Sequence, residues 1–348
     1  MANVLFVEYA VREHNTLILT ATRSTEGTII VKGKRIAAGR GALSERIERF
    51  LSALSRRESD DADARALYEL LVAPIESEIA RHEVCIIPNG PLWRLPFHAL
   101  TDRSGAFLIE RRAIFYAPAM AMLARRAPRS AHAPRELLAM GDPRIDRVTM
   151  TSIREQVRGV TFTALPSAAG EVRGIARFYR AAATEVHTGA AARESTFKSV
   201  AADYRILHLA THGIADDSSP MYSSLLLARG QGDDEDGLLE AREIAAMSLH
   251  ADIAVLSACD TARGRIGAGE GVTGLSWAFL AAGCPTTVVS QWSAESTATA
   301  ELMVDFHRQL VQGVTAAEAL RRAELDLMKS RRYHHPYYWA PFVVLGAP

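Results

Sequence analysis

The sequence predicts an α/β protein built on a mostly parallel sheet flanked by helices, and three observations predict it. From about residue 135 onward, short apolar runs alternate with amphipathic stretches, as expected of parallel strands joined by crossover helices. Those runs are continuously apolar rather than alternating, so both faces of each strand must be covered. The chain also opens with three β-type runs separated by polar turns, which begin a smaller sheet.

Taken in order, "NVLFVEYA", "TLILTAT" and "GTIIVKGK" are the opening strands, and 42–55 and about 61–81 space their apolar residues by three and four, the helical period. "EVCIIPNGPLWRLPFHAL" runs from a buried strand through a Pro-Asn-Gly-Pro turn into a Trp/Phe-bearing segment. The Pro/Arg/Ala-rich stretch 124–137 reads as a linker, since proline interrupts helix and ladder alike, and it sets the expected domains at 1–130 and 131–348. Beyond it come the strand "LLAMGD", the helix "AAGEVRGIARFY", the strand "ATEVHTG", the helix "RESTFKSVAA" and the strands "RILHLA" and "DIAVLSA". The helix "VTGLSWAFLAAG", the strand "TTVVSQW" and the helix "ATAELMVDFHRQLVQG" complete the pattern, with an aromatic-rich terminal strand after them. No repeat at a period of about 20–50 residues stands out.

Composition narrows the function. The 348 residues suffice for a large core, and 40 basic side chains balance 40 acidic ones, so no global field draws the chain to nucleic acid or an anionic membrane. Three cysteines are too few for a disulfide framework and point to reduced thiols and a cytoplasmic setting. The start has no basic region ahead of its apolar stretch, unlike a signal peptide, and the longest charge-free stretch, 271–294, is broken by Gly283 and Pro285.

Two apolar runs end at reactive side chains, "RILHLATHG" at His212 and "DIAVLSACDT" at Cys259. In open parallel sheets functional groups gather beyond the carboxyl ends of strands. If the two strands are neighbours, imidazole and thiol meet across one crevice, and the spacing resembles that of histidine and cysteine in caspases. A thiolate is then the nucleophile, with the imidazole as proton carrier. Gly213 lets the backbone approach substrate, so its N–H and that of Cys259 are candidates for an oxyanion hole. The bland alternative is a buried thiol and a structural histidine. Cys85 and Cys284 read as structural, and His208, inside its strand, as core or support.

Other patterns carry less. "GEGVTG" (269–274) resembles a dinucleotide fingerprint but does not follow a strand directly, and "GLSWA" is a poor nucleophile elbow, which leaves Ser276 to packing. "ARGRIGAGEGVTG" reads instead as a glycine-rich loop beside the nucleophile, able to gate activity. No metal-ligand spacing appears, and neither metal nor cofactor is expected. The acidic run 231–240 reads as a solvated loop, with binding of a basic segment or a maturation cut as alternatives.

"LHLATHG", "LSACDTARG", "GAGEGVTGLSWAFLAAGCPTTVVSQW", "TAELMVDFHRQL" and "HPYYWAPFVVLG" resemble the successive signatures of the CHAT-domain family, caspase-like cysteine peptidases akin to separases, and "IIPNGPLWRLPFHAL" resembles its mid-region signature. The resemblance is strong over about residues 80–348. It implies two caspase-like halves, the first without a dyad, with His212 as general base and Cys259 as nucleophile. Family members often carry Asp four positions after the Trp that stands here as Trp292, where it reads a basic substrate side chain. This chain has Ser296 there and Glu295 just before it, so Trp292, Asp260, Glu295 and Ser296 are the substrate-pocket candidates and the preference stays open. The resemblance further implies a specific protein substrate, such as a gasdermin-like or other effector, a separate sensor or activator protein, and a bacterial defence or signalling setting. The competing expectation is a pseudo-peptidase scaffold whose dyad goes unused.

Overall fold

The computed structural model describes residues 4–347 except 59–60, 81, 125–132, 147–148, 152, 154–161, 163, 217, 231, 233, 259–269 and 294. The chain forms two compact units, Met1–Arg125 with Thr315–Pro348, and Arg126–Val314. The boundary near residue 125 falls within the predicted linker, most of which lies outside the described residues. Thr315–Pro348 belongs to the first unit, whereas the sequence reading placed it with residues 131–314.

The first unit begins with β1 (Val4–Val11), β2 (Thr16–Arg23) and β3 (Ile29–Ile36), an antiparallel meander. Helix α1 (Arg40–Arg56) buries Leu43, Ile47, Phe50, Leu51 and Leu54, a single stripe at helical spacing. It closes at Arg57, whose left-handed backbone (φ 58) turns its N–H onto the carbonyls of Ala53 and Leu54. Helix α2 (Asp61–Leu71) is interrupted within the predicted helical stretch: Pro74 cannot supply a helical N–H, and the chain passes through a 3₁₀ turn at Ala73–Ile75 before one more α-helical turn at Glu76–Ile79. Then β4 (Glu83–Ile87) and β5 (Ile114–Tyr116) run parallel to β1 and to each other.

The second unit holds β6 (Arg135–Pro143), α3 (Pro166–Ala176), β7 (Thr184–Gly189), α4 (Glu194–Val200) and β8 (Tyr204–Ala210). Three very short strands follow, β9 (Gly213–Ile214), β10 (Ser224–Leu226) and β11 (Leu238–Glu240), which make a separate antiparallel sheet. The sequence reading assigned no strands there, because two or three residues are too few to show a period. Helix α5 (Ala241–Ala246), β12 (Ile253–Leu256), α6 (Glu270–Ala281), β13 (Thr286–Ser290) and α7 (Ser296–Leu310) complete the unit. Its main sheet has the order β13-β12-β8-β6-β7, parallel at each of these pairings. Every residue of β12 and β13 is buried, so both faces are covered, as the unbroken apolar runs require.

The chain returns to the first unit with α8 (Ala316–Met328), capped by the Thr315 hydroxyl, which accepts the Glu318 N–H at 3.2 Å. Trp339 and β14 (Phe342–Gly346) are buried, and β14 runs parallel to β5, giving the first unit the order β3-β2-β1-β4-β5-β14. The expected fold class, a mixed α/β protein with a mostly parallel sheet flanked by helices, is the fold observed.

Candidate active site

The strands ending at the two candidate catalytic residues are neighbours. β8 and β12 pair in parallel, and every matched pair from Ile206–Ile253 to Leu209–Leu256 joins residues 47 apart. Parallel strands place both carboxyl ends on one edge, where connecting loops converge. Two residues past β12, the carbonyl of Ala258 accepts the Ser290 hydroxyl at 3.2 Å, which ties this end to β13. Cys259 and Asp260 lie outside the described residues.

His212 follows β8 by two residues and is 3% exposed. The Thr211 hydroxyl donates to the carbonyl of Leu226, and the Leu226 N–H donates to the carbonyl of His212 at 2.9 Å, so β10 grips the backbone on both sides of the Thr211–His212 bond. Gly213 then enters β9 opposite Leu225. The imidazole lies against Phe162, with ring centroids 5.0 Å apart. Phe162 and Ile214 pack on an apolar cluster of Ile153, Leu226 and Leu238, which forms the floor of this corner. A buried imidazole beside an apolar wall feels nearby charge more strongly than one in water.

The pocket candidates beyond β13 sit close together in the chain with different tasks. Trp292 is half-buried in the bend after the strand. Glu295 is the N-cap of α7, its carboxylate accepting the Ala298 N–H at 2.8 Å, and Ser296 opens the helix. A carboxylate at a helix N-terminus is held by the macrodipole as well as by that bond, so Glu295 has a structural duty the sequence reading did not assign.

His208, read from sequence as core or support, is the hub of a buried polar chain. Its Nε2 lies 2.8 Å from Oε1 of Glu171 on α3, and its Nδ1 lies 3.0 Å from Nε2 of His307 on α7. Nδ1 of His307 lies 2.7 Å from the Tyr179 hydroxyl. One assignment satisfies every group: Tyr179 donates to His307, His307 donates to His208, and His208 donates to the Glu171 carboxylate. Burial, and next the neighbouring His208, hold the pKa of His307 well below its ordinary range, so it is neutral. The sequence reading missed Glu171 and His307. Their signal was an ionisable residue on a buried helix face, beside Val172 and Ile175 in α3 and Phe306 in α7.

Within the acidic run, Glu235, Asp236 and Gly237 are tied down, while residues 231 and 233 lie outside the described residues. The Lys198 ammonium lies 2.8 Å from Glu194, 2.5 Å from Glu235 and 2.9 Å from Glu243, standing where a cation shared by these three carboxylates would sit. Burial outweighs this pairing at Glu194 and pushes its carboxyl up to about 7. The Gly237 N–H donates to Glu194 at 2.8 Å, and the Thr149 hydroxyl donates to the Asp236 carbonyl at 2.7 Å.

Cys85 and Cys284 are buried, and burial raises both thiols, Cys284 up to about 12. Neither is a competent nucleophile near neutrality. Ser276 is buried in α6, as its packing assignment required. Among the described residues no helix is long and apolar enough to cross a membrane.

The chain is similar in sequence or in fold to several known proteins. Tetratricopeptide repeat protein 28 of Homo sapiens and that of Mus musculus are each 25% identical over 346 residues, covering 85% of this chain. The chain spans 14% of the length of these relatives. Among solved structures, Saccharomyces cerevisiae separase in its securin complex matches 77% of this chain and 16% of its own, with a TM-score of 0.47 and 13% identity. The cysteine proteinase gingipain R, described as Arg specific, matches 80% of this chain and 68% of its own, with a TM-score of 0.48 and 9% identity. The model of the CHAT domain matches residues 61–347, a span that takes in His212, the three strands around it and the closing strand β14, and the chain belongs to the CHAT domain family.

Proposed function

We propose that this chain is a caspase-like cysteine endopeptidase in which Cys259 is the nucleophile and His212 the general base. The observation that carries the reading is the register of β8 and β12: their residues pair 47 apart, and the same interval separates His212 from Cys259 in the sequence. In the proposed reaction His212 takes the thiol proton and the thiolate attacks the peptide carbonyl carbon. The N–H groups of Gly213 and Cys259 hold the oxyanion. As the tetrahedral intermediate collapses, the C–N bond breaks and the imidazolium delivers its proton to the leaving amine. Water, deprotonated by His212, then attacks the thioester, releasing the acid and restoring the thiol.

The substrate in this reading is a protein bound in extended form in the cytoplasm. Trp292, Asp260, Glu295 and Ser296 shape its pocket, and a separate sensor or activator protein controls access. A gasdermin-like effector in a bacterial defence pathway is one such substrate. The test compares new protein N-termini in cells expressing wild type, Cys259→Ala and His212→Ala, with neighbouring genes co-expressed. A small set of cuts that vanishes in both variants supports the peptidase and reads out the side chain preferred before the cut. Identical N-termini in all three, while wild type also fails to react with a thiol-directed peptidyl electrophile, would sink it in favour of a scaffold.

A further inference from the structure

Strand β3 lies at the outer end of the first unit's strand order, and among the described residues no strand pairs with its far edge. Seven of its eight residues are exposed and the eighth is half-buried. Ile29 is 71% exposed, Ile30 43% and Val31 65%. The β2–β3 register sets Ala21 opposite Val31 and Leu19 opposite Gly33, so Ile29 and Val31 share a face with Leu19, itself 40% exposed. Unpaired strand edges template further pairing, and proteins ordinarily shorten, cover or charge them. This edge spans eight residues and leads with three exposed apolar side chains.

The charges select the occupant. Lys32, Lys34 and Arg35 lie on β3, and no acidic residue occurs between Gly27 and Leu43. Lys32 lies 3.5 Å from Glu78 yet remains largely exposed, and the Lys34 ammonium donates to the Pro74 carbonyl. A second copy pairing antiparallel about Gly33 would set Lys32 against Lys34 twice, and an in-register parallel copy would set each lysine beside its twin. Like charges directly opposite are destabilising in a sheet. A strand alternating carboxylates with β-branched residues meets the cations, the apolar row and the open N–H and C=O groups together.

We propose that the edge of β3 is a docking site for an extended acidic segment of a partner protein, which adds to the sheet as an antiparallel or parallel strand. This inference does not depend on the peptidase reading. The probe is a fluorescein-labelled octapeptide, Val-Glu-Val-Glu-Val-Glu-Val-Thr, followed by anisotropy at moderate salt with the full chain. Its controls are the same peptide with alternate backbone nitrogens methylated and the analogue with Lys for Glu. The acidic peptide binds and slows amide exchange over 29–36, and neither control binds. Lys34→Glu, at an exposed position on the face it shares with Lys32, weakens binding about two- to fivefold, as expected for one surface charge pair. Equal binding of the N-methylated peptide reduces the effect to charge attraction and overturns the proposal. So does no binding, equal binding of the lysine peptide, or self-association through β3 seen by sedimentation and exchange.

Discussion

Replacing His208 with leucine tests the polar chain under the second unit's sheet. His208 is fully buried and Glu171 is 3% exposed, so the substitution strands the Glu171 carboxylate and removes the acceptor for the His307 N–H. Breaking a buried ion or charge-assisted pair from one side costs about 3–5 kcal/mol, a large share of the ~5–15 kcal/mol that holds a domain together. Glu171→Leu leaves one buried N–H without an acceptor and costs about 1–3 kcal/mol. Glu171→Gln keeps a carbonyl oxygen within reach of His208 and costs ~1 kcal/mol or less. The expected order of destabilisation is therefore His208→Leu, then Glu171→Leu, then Glu171→Gln. Urea unfolding followed by far-UV circular dichroism measures it, and the double variant His208→Leu/Glu171→Leu shows strong non-additivity because the two share one bond. A loss below ~1 kcal/mol for His208→Leu, or a loss as large for Glu171→Gln, would refute the assignment of a buried carboxylate to this chain.

Acid should expose a second consequence of buried imidazoles. Burial lowers the pKa of His98 to about 4, against a hydrogen bond to the Ala340 carbonyl that acts to raise it, so the ring is neutral in the fold. The unfolded chain takes up that proton near pH 6.5, so the contribution is full above pH 6.5 and falls by about 1.4 kcal/mol per pH unit toward pH 4. His98→Gln flattens the stability curve by one proton over that window, with Glu324 common to both proteins; an unchanged slope would show that His98 is not held neutral. Gly141→Ala puts a methyl 2.8 Å from the Ala168 carbonyl oxygen and 2.9 Å from Val172, where β6 meets α3, and should cost about 1–3 kcal/mol in thermal unfolding. Glu295→Ala removes the cap of α7 and should cost about 1 kcal/mol, read by the same melt. With Cys85 and Cys284 buried, native protein should show at most one fast-reacting thiol, absent in Cys259→Ala; two or more in wild type would contradict their burial.

The sequence by itself determined the fold class, because unbroken apolar strands between amphipathic helices can be buried only in a parallel sheet covered on both faces. It singled out His212 through its position at a strand end, and the structure bears out the condition attached to that reading, that its strand and the one leading to Cys259 are neighbours. Only tertiary structure decided the rest. The short β9–β11 sheet that grips His212 has too few residues per strand for any period, and its stability comes from pairing with residues distant in the chain. Glu171, His208 and His307 lie on three separate elements, so each looks like an isolated polar residue on an apolar face until packing joins them. The last 34 residues follow the second unit in sequence yet complete the first, since a strand's sheet is chosen by the edge it can pair with and bury. Periodicity records which faces must be hidden; which residues hide them together is decided by long-range packing.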